Sequence, residues 1–190
     1  MDILNAFILG IVEGITEFLP VSSTGHLIIT GDVLGFSGEN AKVFEVFIQL
    51  GAILAVVWLY RERLSAFIRG IGTKKTNRFF LNIFIAFLPA AVIGLLTYKF
   101  IKHYLFNPLT VAFALIIGGI VMLVIERVSP VPKVRDIDDL NIKKALGIGF
   151  AQVLSLLPGV SRAGATIMGG YCLGLDRKTA TEFSFFLAIP

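Results

Sequence analysis

Residues 43–60, 79–100 and 109–125 form three apolar stretches. Each is near the ~20 residues that a helix needs to cross the roughly 30 Å hydrocarbon core of a bilayer. Lipid offers the backbone no water to bond, so such segments fold as helices. They confine the chain to an all-α polytopic membrane protein. Composition agrees: hydrophobic residues make up 56% and charged residues 16% of the 190, against roughly 45–50% and 25% in soluble domains. The mean hydropathy is +0.85. These values exclude a soluble globule and a disordered tail, and no nucleic-acid partner is expected. A single cysteine, Cys172, rules out an internal disulfide and a CxxC metal site; it is expected to be a small packing residue. The first apolar stretch carries Glu13 and Glu17 and lacks a basic flank, so no cleavable targeting segment is expected.

Trp58, Tyr60 and Tyr98 sit where aromatic anchors meet headgroups. Pro89 predicts a kink in the second span, and Gly118 with Gly119 predicts a close helix contact in the third. Arg61, Arg63, Arg69, Lys74, Lys75 and Arg78 fill the loop after the first span. Arg127, Lys133, Arg135, Lys143 and Lys144 follow the third, whereas the link between spans two and three has only Lys99, Lys102 and His103. The two basic loops are therefore expected in the cytoplasm and the link outside.

Two further apolar regions, 3–36 and 142–175, are each broken near the middle by Pro, Gly, Ser and charged residues. Each half, about 15 residues, is short for a crossing. They read as re-entrant helix hairpins whose irregular backbone is shielded by protein or lines a wet cavity. They also align without a gap at a shift of 139 positions, which superposes Gly10 on Gly149, Val21-Ser22 on Val160-Ser161, Gly25 on Gly164 and Leu34-Gly35 on Leu173-Gly174. The expected organisation is one membrane domain, 1–190, holding two repeats. The first, 1–126, contains the hairpin and the three spans; the second, 142–190, contains its hairpin and the start of a span at 179–190. A hairpin returns to its own side, so three intervening spans leave the second copy inverted. Inverted repeats with broken helices at the midplane are a recurrent transporter design.

Glu13 and Glu17, spaced i, i+4, share one helix face. Two carboxylates there can hold a hard divalent cation, Mg²⁺ or Ca²⁺, or share a proton. Apolar neighbours surround them, and an acid in lipid costs about 2.5–3.5 kcal/mol, so an interior site is expected. The turn after them, Pro20-Val21-Ser22-Ser23-Thr24-Gly25-His26, brings three hydroxyls and an imidazole close. Its serines serve equally as helix caps or as a nucleophile beside a general base. In the second copy, Pro158-Gly159-Val160-Ser161-Arg162-Ala163-Gly164-Ala165-Thr166 opens a helix whose first amides, with the Arg162 fork, suit phosphate oxygens. The other reading of Arg162 is a side chain that snorkels to headgroups. Gln152 and Leu156 stand at the positions of Glu13 and Glu17, so the site is acidic on one side and basic on the other.

Glu13-Gly-Ile-Thr-Glu17-Phe-Leu-Pro-Val-Ser-Ser-Thr-Gly-His26 and Pro158-Gly-Val-Ser-Arg162-Ala-Gly-Ala-Thr166, together with Phe44-Glu-Val-Phe-Ile-Gln-Leu-Gly51, resemble the signatures of the undecaprenyl-diphosphate phosphatase family, also called the bacitracin resistance protein. The resemblance covers the whole chain. It implies a multi-pass phosphatase of the bacterial inner membrane that recycles the lipid carrier of cell-wall synthesis. Its expected partners are a polyprenyl diphosphate and the bilayer; a homodimer is one state open to it, and the sequence does not fix the oligomeric state. The family's acids fall on Glu13 and Glu17, its serines on Ser22 and Ser23, its histidine on His26 and its arginine on Arg162. Two departures stand out: Ala163 replaces the usual second Ser of Ser-Arg-Ser, and family members continue beyond Pro190, so the chain is expected to be a fragment.

The expected mechanism puts a divalent cation between Glu13, Glu17 and the diphosphate. Arg162, Ser161, Gly159, Gly164 and Thr166 bind phosphate, and Ser23, with Ser22 as rival, attacks phosphorus. His26, steered by a carboxylate, manages protons. The alternative is an inverted-repeat carrier or flippase for a polyprenyl phosphate or small anion, which needs the charges but no nucleophile.

Overall fold

Helices begin in this chain where short polar side chains can hold the first free amides. The computed structural model describes residues 3–36, 38–105, 107–128 and 131–190, with side chains left aside at 39, 40 and 42. The first two residues of the expected 1–126 repeat thus lie outside the described residues. Helix α1, Ile3–Thr16, leads through a turn to α2, Ser23–Val33, and α3 spans Glu39–Leu59. A short α4, Arg61–Arg69, precedes α5, Lys74–Phe100, which runs on as a π-helix to Leu105. Then come α6, Pro108–Val128; α7, Ile142–Val153; α8, Arg162–Cys172; and α9, Arg177–Leu187. The described residues contain no strand beyond an isolated bridge between Val134 and Leu175. Ser22, Thr73, Asn141, Ser161 and Asp176 each accept an amide of the helix they open.

Two helices, Lys74–Leu105 and Pro108–Val128, are long and apolar enough to cross a membrane. The stretch 43–59 of α3 meets the same measure when taken jointly with α4, which bends away from it by 69° at Tyr60. Helix α5 starts at Lys74 rather than near 79, and it continues unbroken through Pro89, which is buried inside it. Gly118 and Gly119 make no close contact: nothing lies within 4 Å of a Cβ built on either. The reason is position. The hairpins touch α6 through Val111, Ala114 and Leu115, and the glycine pair lies beyond them. Large apolar side chains such as Leu95, Leu96, Ile116 and Leu123 are exposed. A surface of this kind suits a hydrocarbon solvent.

The core sits at one end, where Phe67, Phe79, Ile137, Leu140, Ile148, Phe183 and Phe186 are buried together. Phe67 stacks on Phe79 with centroids 4.1 Å apart, and Phe186 meets Phe79 edge-on at 5.2 Å. Helices α5 and α7 approach so closely that a Cβ on Gly149 would stand 2.4 Å from the Ala86 carbonyl oxygen. The four hairpin helices have 14, 11, 12 and 11 residues. At 1.5 Å per residue they are about 16–21 Å long, short of the hydrocarbon core. Their tips meet. Ser161 Oγ donates to the Leu19 carbonyl at 3.4 Å, Pro20 lies against Gly164, and Phe18 packs edge-on against Phe185.

Candidate active site

The two hairpins are built alike at their turns. Ser22 caps α2 by accepting the Gly25 amide at 3.4 Å, and Ser161 caps α8 by accepting the Gly164 amide at 3.0 Å. Ser22 adopts φ 64°, a left-handed conformation that costs a non-glycine residue energy. Its carbonyl lies 2.9 Å from His26 Nδ1. A carbonyl only accepts, so Nδ1 is the donor of this contact.

Between the turns lies a polar cavity of about 220 Å³, lined by Glu17, Ser22, Ser23, Thr24, Gln49, Ser155, Val160, Ser161 and Arg162. Glu17, only 6% exposed at its side chain, forms the centre. Its Oε2 accepts the Ser23 hydroxyl, and its Oε1 accepts Arg162 Nη2 at 2.8 Å. A buried carboxylate is tolerable only when paired and hydrogen-bonded, and this one is held on both oxygens. The pairing answers the choice left open for Arg162: its guanidinium turns inward to Glu17. The contact also orients the Ser23 hydroxyl with a base at its proton, the arrangement of an activated nucleophile.

Glu13 stands one turn before Glu17, 2% exposed, with Oε2 lacking a hydrogen-bond partner. Gln152, at the matching position of the second hairpin, also buries an unpartnered side-chain oxygen. A hard, orphaned carboxylate oxygen beside the cavity fits a divalent cation. Glu17 would share it only through lone pairs that Ser23 and Arg162 leave free. Among the described residues no group of three or more His, Cys, Asp and Glu gathers as a complete metal cage, so phosphate oxygens and water would have to complete the shell.

Not every expected residue reaches the cavity. His26 is exposed and held by the Ser22 carbonyl rather than by a carboxylate. Thr166 points away: its hydroxyl donates to the Arg162 carbonyl at 2.9 Å and meets Ser184 Oγ at 2.6 Å, fastening α8 to α9. Gly159, at φ 90°, lies against the Val111 backbone, where a Cβ would come within 2.8 Å, so its small size serves packing on α6. The Gly164 amide is spent on Ser161, which leaves the Arg162 and Ala163 amides as the helix-terminal donors. Cys172 is exposed rather than packed. Gln49 and Ser155 were not among the expected residues, and Thr24 was expected only as one of the three hydroxyls of the first turn. Glu45 and Gln49 repeat the four-residue spacing of Glu13 and Glu17 inside an apolar span, a signal that sets Gln49 apart; it is exposed and lines the cavity.

The family described as "Bacitracin resistance protein BacA" matches residues 6–190. A protein named undecaprenyl-diphosphatase from Nitrosomonas europaea is 61% identical over 188 residues, which cover 99% of this chain and 69% of that one. Proteins of the same name from Methylobacillus flagellatus and Neisseria gonorrhoeae are each 57% identical, over 198 and 191 residues, covering 100% and 99% of this chain and 74% and 70% of theirs.

Proposed function

The chain belongs to the bacitracin resistance protein BacA family, and from that membership we propose that it is an integral membrane phosphatase that hydrolyses undecaprenyl diphosphate to undecaprenyl phosphate and inorganic phosphate, recycling the lipid carrier of cell-wall synthesis. Its place is the bacterial inner membrane. The first hairpin enters from the external face and the second, its inverted copy, from the cytoplasmic face. The observation that carries the reading is the chain of contacts Ser23–Glu17–Arg162 at the wall of the cavity between the hairpin tips. A carrier has no use for a serine hydroxyl aimed at a buried carboxylate, and the names of the relatives favour the phosphatase as well.

The terminal phosphate of the substrate enters the cavity against Arg162, whose fork offers further N–H donors beside the one spent on Glu17. The Arg162 and Ala163 amides and the positive end of α8 add to the anion site. Ser23 Oγ attacks the terminal phosphorus as Glu17 takes the hydroxyl proton. The bond from phosphorus to the bridging oxygen breaks, and undecaprenyl phosphate leaves with the proton that Glu17 passes on. Water then attacks the phosphoserine and gives a proton to Glu17, which returns it to Ser23 Oγ as inorganic phosphate departs. Catalysis of this kind rests on position and charge neutralisation. Glu17 is the base in this scheme; His26 holds the strained Ser22 peptide that aims Ser23. Glu13 would hold a divalent cation, Mg²⁺ or Ca²⁺, with Glu17 beside it, and such a cation would supply charge neutralisation at the phosphoryl oxygens.

Orthophosphate released from a polyprenyl diphosphate by the purified protein in detergent tests the reading. Ser23→Ala should lower the rate by ~10³-fold or more, the scale seen when a nucleophile is removed. Ser22→Ala, which removes a cap, should act mainly on stability. Undiminished turnover by Ser23→Ala would overturn the assignment.

A further inference from the structure

The segment 61–78 carries six cations, Arg61, Arg63, Arg69, Lys74, Lys75 and Arg78, against one acid, Glu62. Half of these cations have structural work. Arg63 binds Glu182 and lies 3.9 Å from Asp136, Lys75 holds Asp138 at 2.7 Å, and Arg78 donates to the Leu140 carbonyl at 3.1 Å. Arg61, Arg69 and Lys74 are exposed, as are Lys75 and Arg78. Arg61 lies over the Trp58 ring, 4.6 Å from its centroid, and Arg69 is steadied by Ser65. Exposed Trp58, Ile68 and Ile71 are interleaved with them.

Geometry explains why this mixture matters. The 69° bend at Tyr60 turns α4 out of the direction of α3, and Phe67, buried against Phe79 and Phe186, fixes its inner face. The outer face therefore presents cations beside apolar side chains at the end of a span, the pattern of an interfacial helix. We propose that the corner formed by the end of α3, α4 and the start of α5 is a docking surface for anionic phospholipid headgroups, with Arg61, Arg69 and Lys74 on the phosphates and Trp58, Ile68 and Ile71 among the upper acyl carbons. Charge complementarity selects this occupant: a basic surface at membrane level meets anionic lipid at high local concentration.

Trp58 is the only tryptophan in the chain, so its fluorescence reports this corner alone. The protein is reconstituted in phosphatidylcholine vesicles containing equal mole fractions of brominated phosphatidylglycerol or brominated phosphatidylcholine, and quenching is compared. The expected result is a relative affinity for the anionic lipid ~5-fold or more above phosphatidylcholine, the scale of a single basic residue at an anionic surface. It should fall to parity in Arg61→Gln/Arg69→Gln/Lys74→Gln, while Lys102→Gln leaves it unchanged. If the triple variant does not fold, the wild type in 1 M salt, where the screening length is ~3 Å, must lose the preference. Equal quenching by the two lipids in the wild type overturns the proposal. So does loss of the preference on adding inorganic phosphate, which would mark a soluble-anion site instead.

Discussion

Replacing Arg162 with methionine removes the cation from a Glu17 side chain that is only 6% exposed, while the arginine itself is 26% exposed. Breaking a buried pair by deleting one partner costs about 3–5 kcal/mol, because the remaining charge stays desolvated. Residual exposure of Arg162 and the Ser23 hydroxyl on the other oxygen put this case at the lower end, about 3 kcal/mol. Activity should fall further than stability, by ~10²–10³-fold, since in the proposed mechanism the same group meets the charge of the transition state. The two effects can be separated. Glu17→Gln/Arg162→Met leaves no stranded charge, so it should recover at least half of the lost thermal stability in detergent while remaining inactive in phosphate release. Arg162→Lys should hold most of the stability but little of the activity, because a point charge cannot grip Glu17 and a phosphate at once. A double variant no more stable than Arg162→Met, or near-normal turnover by Arg162→Met, would refute the pairing argument.

Gly149→Ala should lower the thermal midpoint by the equivalent of about 1–3 kcal/mol, the cost of overpacking, because its Cβ meets the Ala86 carbonyl; Gly118→Ala, with open space around it, should raise it slightly. Asp136 is held below its ordinary 3.8 first by the backbone N–H of Asp138 and then by Arg63 and Lys75. Its contribution is therefore full above that value and lost as pH falls through the depressed one. Asp136→Asn, which can still cap, should unfold earlier than wild type at neutral pH, with the gap closing on acidification. In a background where exposed Cys172 is serine, Asn77→Cys should react with an impermeant thiol reagent only from the cytoplasmic side and His103→Cys only from outside; the reverse pattern overturns the proposed orientation.

The hairpins were legible because their signals are local: Ser22 and Ser161 precede glycines at the cap spacing, and each apolar region is broken near its middle by Pro, Gly and Ser. Glu17 and Arg162 were legible as charges that lipid would not tolerate alone. What the sequence withheld depends on direction in space. Thr166 carries the same hydroxyl whether it faces a cavity or Ser184, and periodicity could not decide between them. His26 reads as a general base by type, but its ring reaches the Ser22 carbonyl one turn back. Gly118 and Gly119 permit close packing; only the arrangement of the hairpins determines that no helix arrives there. The bend at Tyr60 lies between helices α3 and α4 with no proline or glycine to mark it.

The Ser161–Leu19 contact and the Arg162–Glu17 pair join residues 142 and 145 positions apart. During synthesis at ~5–20 residues per second, roughly 7–30 s separate the two halves of that pair. Throughout this interval the first hairpin carries Glu17 without its basic counterpart, and an unpaired acid at bilayer depth costs about 2.5–3.5 kcal/mol. Burial of Glu17 in its final setting therefore requires a partner that is made last, in the second hairpin.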